Sequence, residues 1–271
     1  MQSFGFKIVE KSVQDIKPIL HRAADDHRPL EIGLYFGDRR ALSYLDAELP
    51  SCGVPLNTHL DHDRFNVFDI DSELDGFKRQ LEQSVKWGAK YAITHVSREP
   101  MTVRLEYRTR LMDRLLANTQ LMDEICGEFG FALHIENTFH QLDFYQEYFA
   151  AVGRAEISRI HHCFDIGHAK VWSTASLSDW LDLLDRLSDD GLRLHFHLHA
   201  NQGLADDHLS FLRAEELGIT GADSYTSEHD YFKRLGEIAL RFPDSVKVFE
   251  VPATEALANM DLVIDRLSME A

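Results

Sequence analysis

The sequence predicts an α/β protein in which residues 1–271 form a single (β/α)8 TIM barrel domain. Short apolar runs rich in β-branched and aromatic residues alternate with longer segments of helical period, the pattern of repeated β-α units. Eight runs of each kind can be counted, and 271 residues suit a barrel of this type. No Gly/Ser-rich linker, low-complexity tract or long charge block indicates a domain boundary. A doubly wound open sheet is the main alternative.

The predicted strands are continuous apolar runs rather than strict alternations of apolar and polar residues. Parallel strands that are covered on both faces have this pattern. In chain order the strands are expected at Phe4–Val9, Glu31–Phe36, Val54–His59, Tyr91–Val96, Ala132–Glu136, Ile160–Asp165, Arg193–His199 and Val246–Val251.

The predicted helices carry recognisable signals at their ends. Ser176 and Ser178 precede a stripe of leucines, and serine favours a helix start because its hydroxyl accepts a backbone N–H. The long fourth helix stops near Gly127 and Gly130, where left-handed backbone costs little. In chain order the helices are expected at Val13–Asp25, Arg39–Glu48, Glu73–Trp87, Leu105–Phe129, Phe144–Val152, Leu177–Leu187, Glu228–Arg241 and Glu255–Leu267.

The charge of the chain restricts its partners. Lys and Arg number 28 against 45 Asp and Glu, a formal net charge of −17. Because affinity for phosphate depends largely on Lys and Arg, this excess argues against a general binder of nucleic acid or anionic membranes, although a local basic groove is compatible with it. No stretch approaches the roughly 18 apolar residues of a membrane span, and no signal peptide opens the chain. A cytoplasmic protein is expected, and nothing indicates its oligomeric state.

The sequence motifs of several common types of site are absent from this sequence. Cys52, Cys126 and Cys163 form no CxxC pair, so neither a disulfide framework nor a thiolate zinc site is indicated. The GxSxG, GxxxxGK[ST], HExxH and GxGxxG patterns are absent, which removes the basis for serine hydrolase, P-loop, zincin and Rossmann interpretations.

Ionisable side chains stand at or beside the carboxyl ends of six consecutive predicted strands. In a barrel these ends converge on one mouth, where active sites of this fold are built. Imidazole and carboxylate are standard ligands for zinc, manganese and related divalent ions. The sequence therefore predicts a site for Mn, Zn, Mg or Co. The six residues are His59, His95, Glu136, Asp165, His197 and Glu250.

Other residues extend this set or compete with it. His168, Asp206 and His208 lie on the loops that follow, so more than one ion could bind. His199 shares a strand face with His197, because residues two apart on a strand point the same way, and it is the alternative to His197. His62 is likewise an alternative to His59, and a lone histidine at a strand end is more often structural.

The two glutamates are the stronger candidates. A carboxylate at the end of an apolar strand costs several kcal/mol in desolvation unless a cation or hydrogen bonds offset it, and this applies to Glu136 and Glu250. Since imidazole ligands must lose a proton to bind metal, an ordinary His pKa of about 6.5 predicts that metal retention falls below about pH 5.5. Four cations on predicted mouth loops could bind a phosphate or carboxylate, or simply face solvent; they are Arg64, Arg98, Lys170 and Arg213.

Four segments carry a family resemblance that runs over most of the chain. They are Ile135–Thr138, Phe164–His168, the stretch from His197 to His208, and Phe249–Pro252. With these segments the sequence resembles the xylose isomerase-like barrel superfamily, which includes sugar and sugar-phosphate isomerases and epimerases and the apurinic-site endonucleases. The resemblance implies a central metal held by Glu136, Asp165, His197 and Glu250.

The endonuclease branch of this superfamily holds two further ions. By resemblance, His59 and His95 would hold one of them with Glu136 as a bridge, and His168, Asp206 and His208 would hold the other. The sequence departs from that branch at Ala200, where relatives tend to have Asp, and after His208, where the Gly-containing continuation is missing.

Two chemistries fit these residues. In an isomerase or epimerase acting on a sugar or sugar phosphate, Glu136 and Glu250 would be the acid/base pair and His168 a substrate contact. In a phosphoesterase of the endonuclease type, several ions would clamp a phosphate, which requires His59, His95, Asp206 and His208. We favour the isomerase, because the acidic chain lacks an obvious surface for duplex DNA. A metal-binding barrel without turnover is the third possibility.

Overall fold

The computed structural model describes residues 4–9, 12–35, 38–219 and 231–270. Eight parallel strands close into a barrel in chain order, with β8 paired to β1. This confirms the predicted (β/α)8 barrel and excludes the open sheet. The strands are β1 Phe4–Ile8, β2 Leu30–Gly33, β3 Leu56–His59, β4 Tyr91–His95, β5 Ala132–Glu136, β6 Ile160–Asp165, β7 Leu194–Leu198 and β8 Val246–Phe249.

Helices connect the strands on the outside of the barrel. Ser176 and Asp179 form a reciprocal capping box at the start of α7, and Gly53 ends α2 in left-handed backbone. The described helices are α1 Val13–Asp25, α2 Arg39–Cys52, α3 Leu74–Lys86, α4 Leu105–Glu128, α5 Leu142–Arg154, α6 Ile166–Trp172, α7 Leu177–Asp189, α8 Phe211–Glu216, α9 Tyr231–Arg241 and α10 Ala253–Glu270, with a 3₁₀ turn at Ile70–Ser72.

Three short elements were not predicted: α6, α8 and the 3₁₀ turn. Each spans seven residues or fewer, too few for a helical period to be recognised. The expectation that His168 lies on a loop is wrong, because it lies in the first turn of α6. Phe36 and residues 228–230, which the sequence assigned to a strand and a helix, lie outside the described residues.

The two faces of the strands differ in chemistry. Outward residues such as Leu133, Ile135 and Phe164 join the helices in the main apolar core, whereas inward Tyr91 and Cys163 belong to a small separate cluster. Successive strand residues face opposite sides, so the ionisable residues that alternate with the outward ones point into the barrel. Among the described helices, none combines the length and apolar character needed to cross a membrane.

Candidate metal centre

Four strand ends bring Glu136, Asp165, His197 and Glu250 together, and we call these residues the central group. His197 Nδ1 lies 3.1 Å from Glu136 Oε2, 3.1 Å from Glu250 Oε2 and 3.8 Å from Asp165 Oδ2. All four residues are buried. The parallel register explains the convergence, since Asp165 pairs with His197 on neighbouring strands. Three carboxylates thus surround one imidazole nitrogen.

Glu136 is the most heavily contacted member of the central group. Its Oε2 lies 3.0 Å from His59 Nε2 and 3.4 Å from His95 Nε2, and its Oε1 lies 3.0 Å from His168 Nδ1. We call His59 and His95 the outer pair. Because both oxygens of Glu136 face imidazoles on different sides, this carboxylate has the position of a bridge between two groups of donors.

A third set of donors lies at the opening of the barrel, and we call His168, Asp206 and His208 the mouth group. Asp206 Oδ2 lies 3.1 Å from His168 Nε2 and 2.7 Å from His208 Nε2. The mouth group meets the central group where His208 Nδ1 lies 3.5 Å from Glu250 Oε1. The Asp206 and His208 side chains are 25% and 30% exposed, so this side of the centre is open to solvent.

The structure places both His197 and His199 against Asp165. His199 Nε2 lies 3.1 and 3.2 Å from the two carboxylate oxygens, and His199 Nδ1 lies 3.2 Å from the carbonyl of Ala200. His197 approaches the centre from deeper in the barrel, through Nδ1. Both candidates that the sequence left open are therefore within reach of the same carboxylate.

His62, the alternative to His59, stacks on His95 at a centroid distance of 3.8 Å. Ligand atoms of His59, His62 and His95 lie within 4.8 Å of one another, so His62 is an additional possible donor rather than a replacement.

Three histidines in these sets share one hydrogen-bonding pattern. The Nδ1 atoms of His59 and His168 lie 2.9 Å from backbone carbonyl oxygens, to which an N–H donates, and His199 does the same at 3.2 Å. Each Nε2 then turns its lone pair toward a carboxylate oxygen about 3 Å away. Two facing acceptors require a shared proton or cation, and metal-bound histidines commonly have this arrangement.

The buried carboxylates also require cations at this site. Five carboxylates are clustered here, and in the part of the chain that the structure describes Lys7 supplies the one ammonium or guanidinium that contacts any of them, namely Glu31 and Glu250. Buried charge of one sign is costly unless cations neutralise it. The His197 Nδ1 and Asp206 Oδ1 atoms are buried without a hydrogen-bond partner among the described residues. The donor set therefore fits divalent cations. The five carboxylates are Glu31, Glu136, Asp165, Asp206 and Glu250.

Without an ion, protons on histidine take over part of this neutralisation. Burial opposes charge on His208, but Glu250 and Asp206 raise its pKa to about 9. Burial also opposes charge on His168, whose pKa Asp165 and Asp206 nevertheless raise well above the usual value. The pKa of His95 falls to about 4, chiefly through burial. The acidic donors therefore hold protons at the mouth group that a metal ion would displace.

Local sequence explains how Asp165 and His168 come together. Asp165 is the N-cap of α6, and its Oδ1 accepts the backbone N–H of His168 at 2.7 Å. The Asn137 side chain donates to the Asp165 carbonyl at 2.9 Å and accepts its N–H at 2.7 Å. Asn137 thereby ties the end of β5 to the backbone at the start of α6, and the cap bond from His168 fixes the direction of the Asp165 carboxylate.

Gly167 is required by a close approach of α6 to His199. A Cβ at position 167 would lie 2.0 Å from Cε1 of His199, far inside van der Waals contact. Gly167→Ala is therefore expected to push His199 away from Asp165. We expect a loss of about 1–3 kcal/mol in the free energy of unfolding and a drop of about tenfold to a hundredfold in metal affinity. Urea unfolding and metal titration measure the two effects.

Gly153→Ala in α5 is the matched control, because a Cβ there meets nothing within 4 Å. It should leave metal affinity unchanged. Wild-type affinity in Gly167→Ala would show that the position of His199 does not matter to the centre.

Sequence reasoning missed Lys7 and Glu31, which lie beneath the central group inside the barrel. Lys7 Nζ donates to Glu250 Oε2 at 2.6 Å, and Glu31 lies 3.0 Å from His197 Nε2. Both residues are buried. The available signal was a charged residue within the first predicted strand, in Phe-Gly-Phe-Lys-Ile, and at the start of the second, in Leu-Glu-Ile-Gly-Leu.

The four cations proposed for binding an anion are engaged elsewhere, and the expectation that all four lie on loops is wrong, because Lys170 lies in α6 and Arg213 in α8. Arg64 pairs with Glu73 and Arg98 with Glu99. Arg213 pairs with Glu216 on α8, and Lys170 donates to the Asn201 carbonyl. None of these contacts is with the central group.

Comparison with solved structures identifies the fold. A D-tagatose 3-epimerase-like protein matches with a TM-score of 0.72 at 16% identity, covering 98% of this chain and 97% of that one. The TTHB071 protein of Thermus thermophilus, from a crystal soaked with ZnCl2, matches with a TM-score of 0.70 at 19% identity, covering 99% of each. A xylose isomerase domain protein from Planctomyces limnophilus matches with a TM-score of 0.62 at 11% identity, covering 98% and 96%. The chain has the (β/α)8-barrel fold of these proteins.

Other structures with this fold include an L-ribulose 3-epimerase and IolI with a bound zinc atom. Sugar epimerases thus recur among the barrels that match. No protein-family model matches the sequence, and no curated protein matches it.

Proposed function

We propose that this xylose isomerase-like barrel is a divalent-metal-dependent sugar isomerase or epimerase. The observation that carries the proposal is the placement of two carboxylates around one imidazole. Glu136 Oε2 and Glu250 Oε2 each lie 3.1 Å from His197 Nδ1, so their separation is at most twice that distance. Two such groups fit the task of removing a proton from a sugar carbon and returning it from the other side. The recurrence of sugar epimerases among the matching folds supports the same reaction class.

A bound divalent ion would polarise the substrate carbonyl and its neighbouring hydroxyl, which lowers the cost of an enediolate. Glu136, Asp165, Glu250 and either His197 or His199 would hold it. Glu136 and Glu250 would move the proton, and His168 would contact the substrate, since its imidazole lies between Glu136 and the partly exposed Asp206. The substrate would enter on the side of the mouth group.

The surroundings of the centre favour a sugar without a phosphate. The four mouth cations named above are paired away from the central group, and residues 220–230 include neither Lys nor Arg. A phosphoryl group usually requires such cations or a free helix N-terminus, and the N-terminus of α6 at this site is already capped by the Asp165 carboxylate. Hydroxyl groups, by contrast, match the many imidazoles and carboxylates of this site.

A multinuclear phosphoesterase is the second candidate, and one observation favours it. The outer pair and the mouth group flank the central group on two sides, as sites for additional ions would. Several ions could clamp a phosphate without help from Lys or Arg.

Replacing the outer pair together by alanine separates the two candidates. If the protein is an isomerase or epimerase, the double variant should still bind the central ion and still exchange a substrate proton with solvent deuterium. If it is a phosphoesterase, cleavage should fall by several orders of magnitude, because a second ion would lose its ligands. The assay panel consists of ketoses, ketose phosphates and abasic-site DNA, with Glu250→Gln as the variant expected to lose proton exchange.

Cleavage of abasic DNA by the wild type that disappears in the double variant, with no deuterium entering any sugar, would replace the isomerase with the phosphoesterase. A metal-loaded protein that turns over nothing in the panel would instead favour a metal-binding barrel.

A further inference from the structure

We propose that Lys7 and Glu31 are positioning residues of opposite effect on the metal site, with Glu31 strengthening cation binding and Lys7 weakening it. The inference rests on the proposed function only in requiring that the central group binds a divalent ion. Lys7 and Glu31 face each other on β1 and β2, where they are register partners. Both are almost completely buried, at 2% and 0% exposure.

Glu31 fixes the orientation of His197. Its two carboxylate oxygens lie 3.0 and 3.1 Å from His197 Nε2, which places the ring N–H on Nε2. The other nitrogen, Nδ1, then presents a lone pair to Glu136 and Glu250. A carboxylate behind a histidine ligand holds the ring in its binding tautomer and increases its basicity. Glu31 is placed to do both for His197.

Lys7 acts on Glu250. Its Nζ donates to Glu250 Oε2 at 2.6 Å and lies 3.4 Å from Glu31 Oε1. Because Oε2 is occupied by this bond, Oε1 is the oxygen that turns toward His208, on the solvent-exposed side of the centre. Lys7 thereby selects the oxygen of Glu250 that is available at the mouth.

Contacts close Lys7, Glu31, His197 and Glu250 into a ring inside the barrel. Lys7 lies 3.4 Å from Glu31, which lies 3.0 Å from His197. His197 lies 3.1 Å from Glu250, which lies 2.6 Å from Lys7 and completes the ring. A buried ion pair contributes little to stability compared with apolar residues of similar volume. Packing alone therefore gives no reason for a lysine at position 7. A fixed positive charge beside a carboxylate ligand does have a consequence: it repels an arriving cation while keeping the unloaded glutamate neutralised.

The two members of the pair can be tested by the sign of their effects. Lys7→Met should increase affinity for Mn²⁺ and Zn²⁺ about tenfold or more, because a repelling charge is removed. Glu31→Gln should decrease it about tenfold or more, because His197 loses its charged partner. The double variant should return toward the wild type. Affinity is measured by chelator competition on full-length protein that has been stripped of metal, so the test needs no enzyme activity.

A merely structural pair would behave differently, since both single variants would loosen the barrel and lower affinity together. Lys247→Met is the matched control. Lys247 is also a buried lysine, but it lies on β8 and donates to backbone carbonyls including that of Ser245. Its loss should lower the melting temperature without changing metal affinity. Should Lys7→Met fail to fold, Lys7→Gln removes the charge while retaining a hydrogen-bond donor for Glu250, and the same increase is expected.

The outcomes separate this inference from the proposed function. Reduced or unchanged affinity in the Lys7 variants, with a wild type that binds metal, overturns the inference and leaves the isomerase proposal standing. Opposite signs in the two single variants support the inference even if the substrate panel shows no turnover. A wild type that binds neither ion overturns both.

Discussion

Glu136→Gln is expected to abolish metal retention. Glu136 meets four imidazoles, two of which belong to the outer pair and one to the mouth group, so its charge holds all three sets of donors together. Loss of an outer partner of a metal ligand already costs up to about a hundredfold in affinity. We expect a larger loss here, together with the loss of proton exchange. Metal content after gel filtration and chelator competition both measure it.

Glu128→Gln is the control for this substitution, because Glu128 pairs with Lys78 on the protein surface. It should retain the metal content of the wild type. Wild-type metal content in Glu136→Gln would refute the assignment of Glu136 as the bridge between donor groups.

Metal affinity is expected to rise steeply with pH up to about pH 9. His208, with a pKa raised to about 9, and His168, with a pKa well above its usual value, carry protons at neutral pH that an arriving ion must displace. Each displaced proton adds a factor of about ten in affinity per pH unit below its pKa. The loss of metal that the sequence predicts below pH 5.5 assumed unshifted histidines. Protons therefore compete with the metal ion at higher pH than the sequence alone predicts.

The metal-free protein should show the opposite trend in stability. A histidine whose pKa is raised on folding stabilises fully below its unfolded value of about 6.5, and this stabilisation is lost as the pH rises through the folded value. The melting temperature of the stripped protein should therefore fall between pH 6.5 and pH 9, and His208→Gln should flatten the decline. For the metal affinity, the slope of the logarithm of the dissociation constant against pH counts the protons that binding releases. A dissociation constant that is constant from pH 7 to pH 9 would contradict the prediction.

The barrel could be predicted from the sequence because each β-α unit repeats the same change, from a short apolar run to a segment in which apolar residues recur with helical period. Strand ends were placed accurately at His59, Glu136 and Asp165, where an ionisable residue closes the predicted run. Elements of fewer than two turns, such as α6 and α8, have no measurable period. They could be found only in the folded chain, and α6 carries His168.

Convergence of the site candidates followed from topology alone, since the carboxyl ends of barrel strands share one mouth. Topology did not show which of these side chains lies deeper in the barrel. His197 on β7 and His199, one residue beyond its end, both face Asp165, and only the contacts show that His197 also reaches Glu31. Lys7 and Glu31 escaped notice because a pattern of apolar runs does not show which strand residues face inward.

A barrel of this type is ordinarily filled by branched apolar side chains arranged in layers. Here ionisable groups occupy much of that interior, while Phe4, Ile32, Leu133 and Phe164 pack outward against the helices. The hydrophobic free energy that keeps the chain folded is thus concentrated in the shell between strands and helices. Side chains inside the barrel can therefore change their chemistry with little effect on the stability of the fold. Substitution of the inward ligands, bases and counter-ions is therefore expected to change the chemistry of the site while the outer shell preserves the architecture.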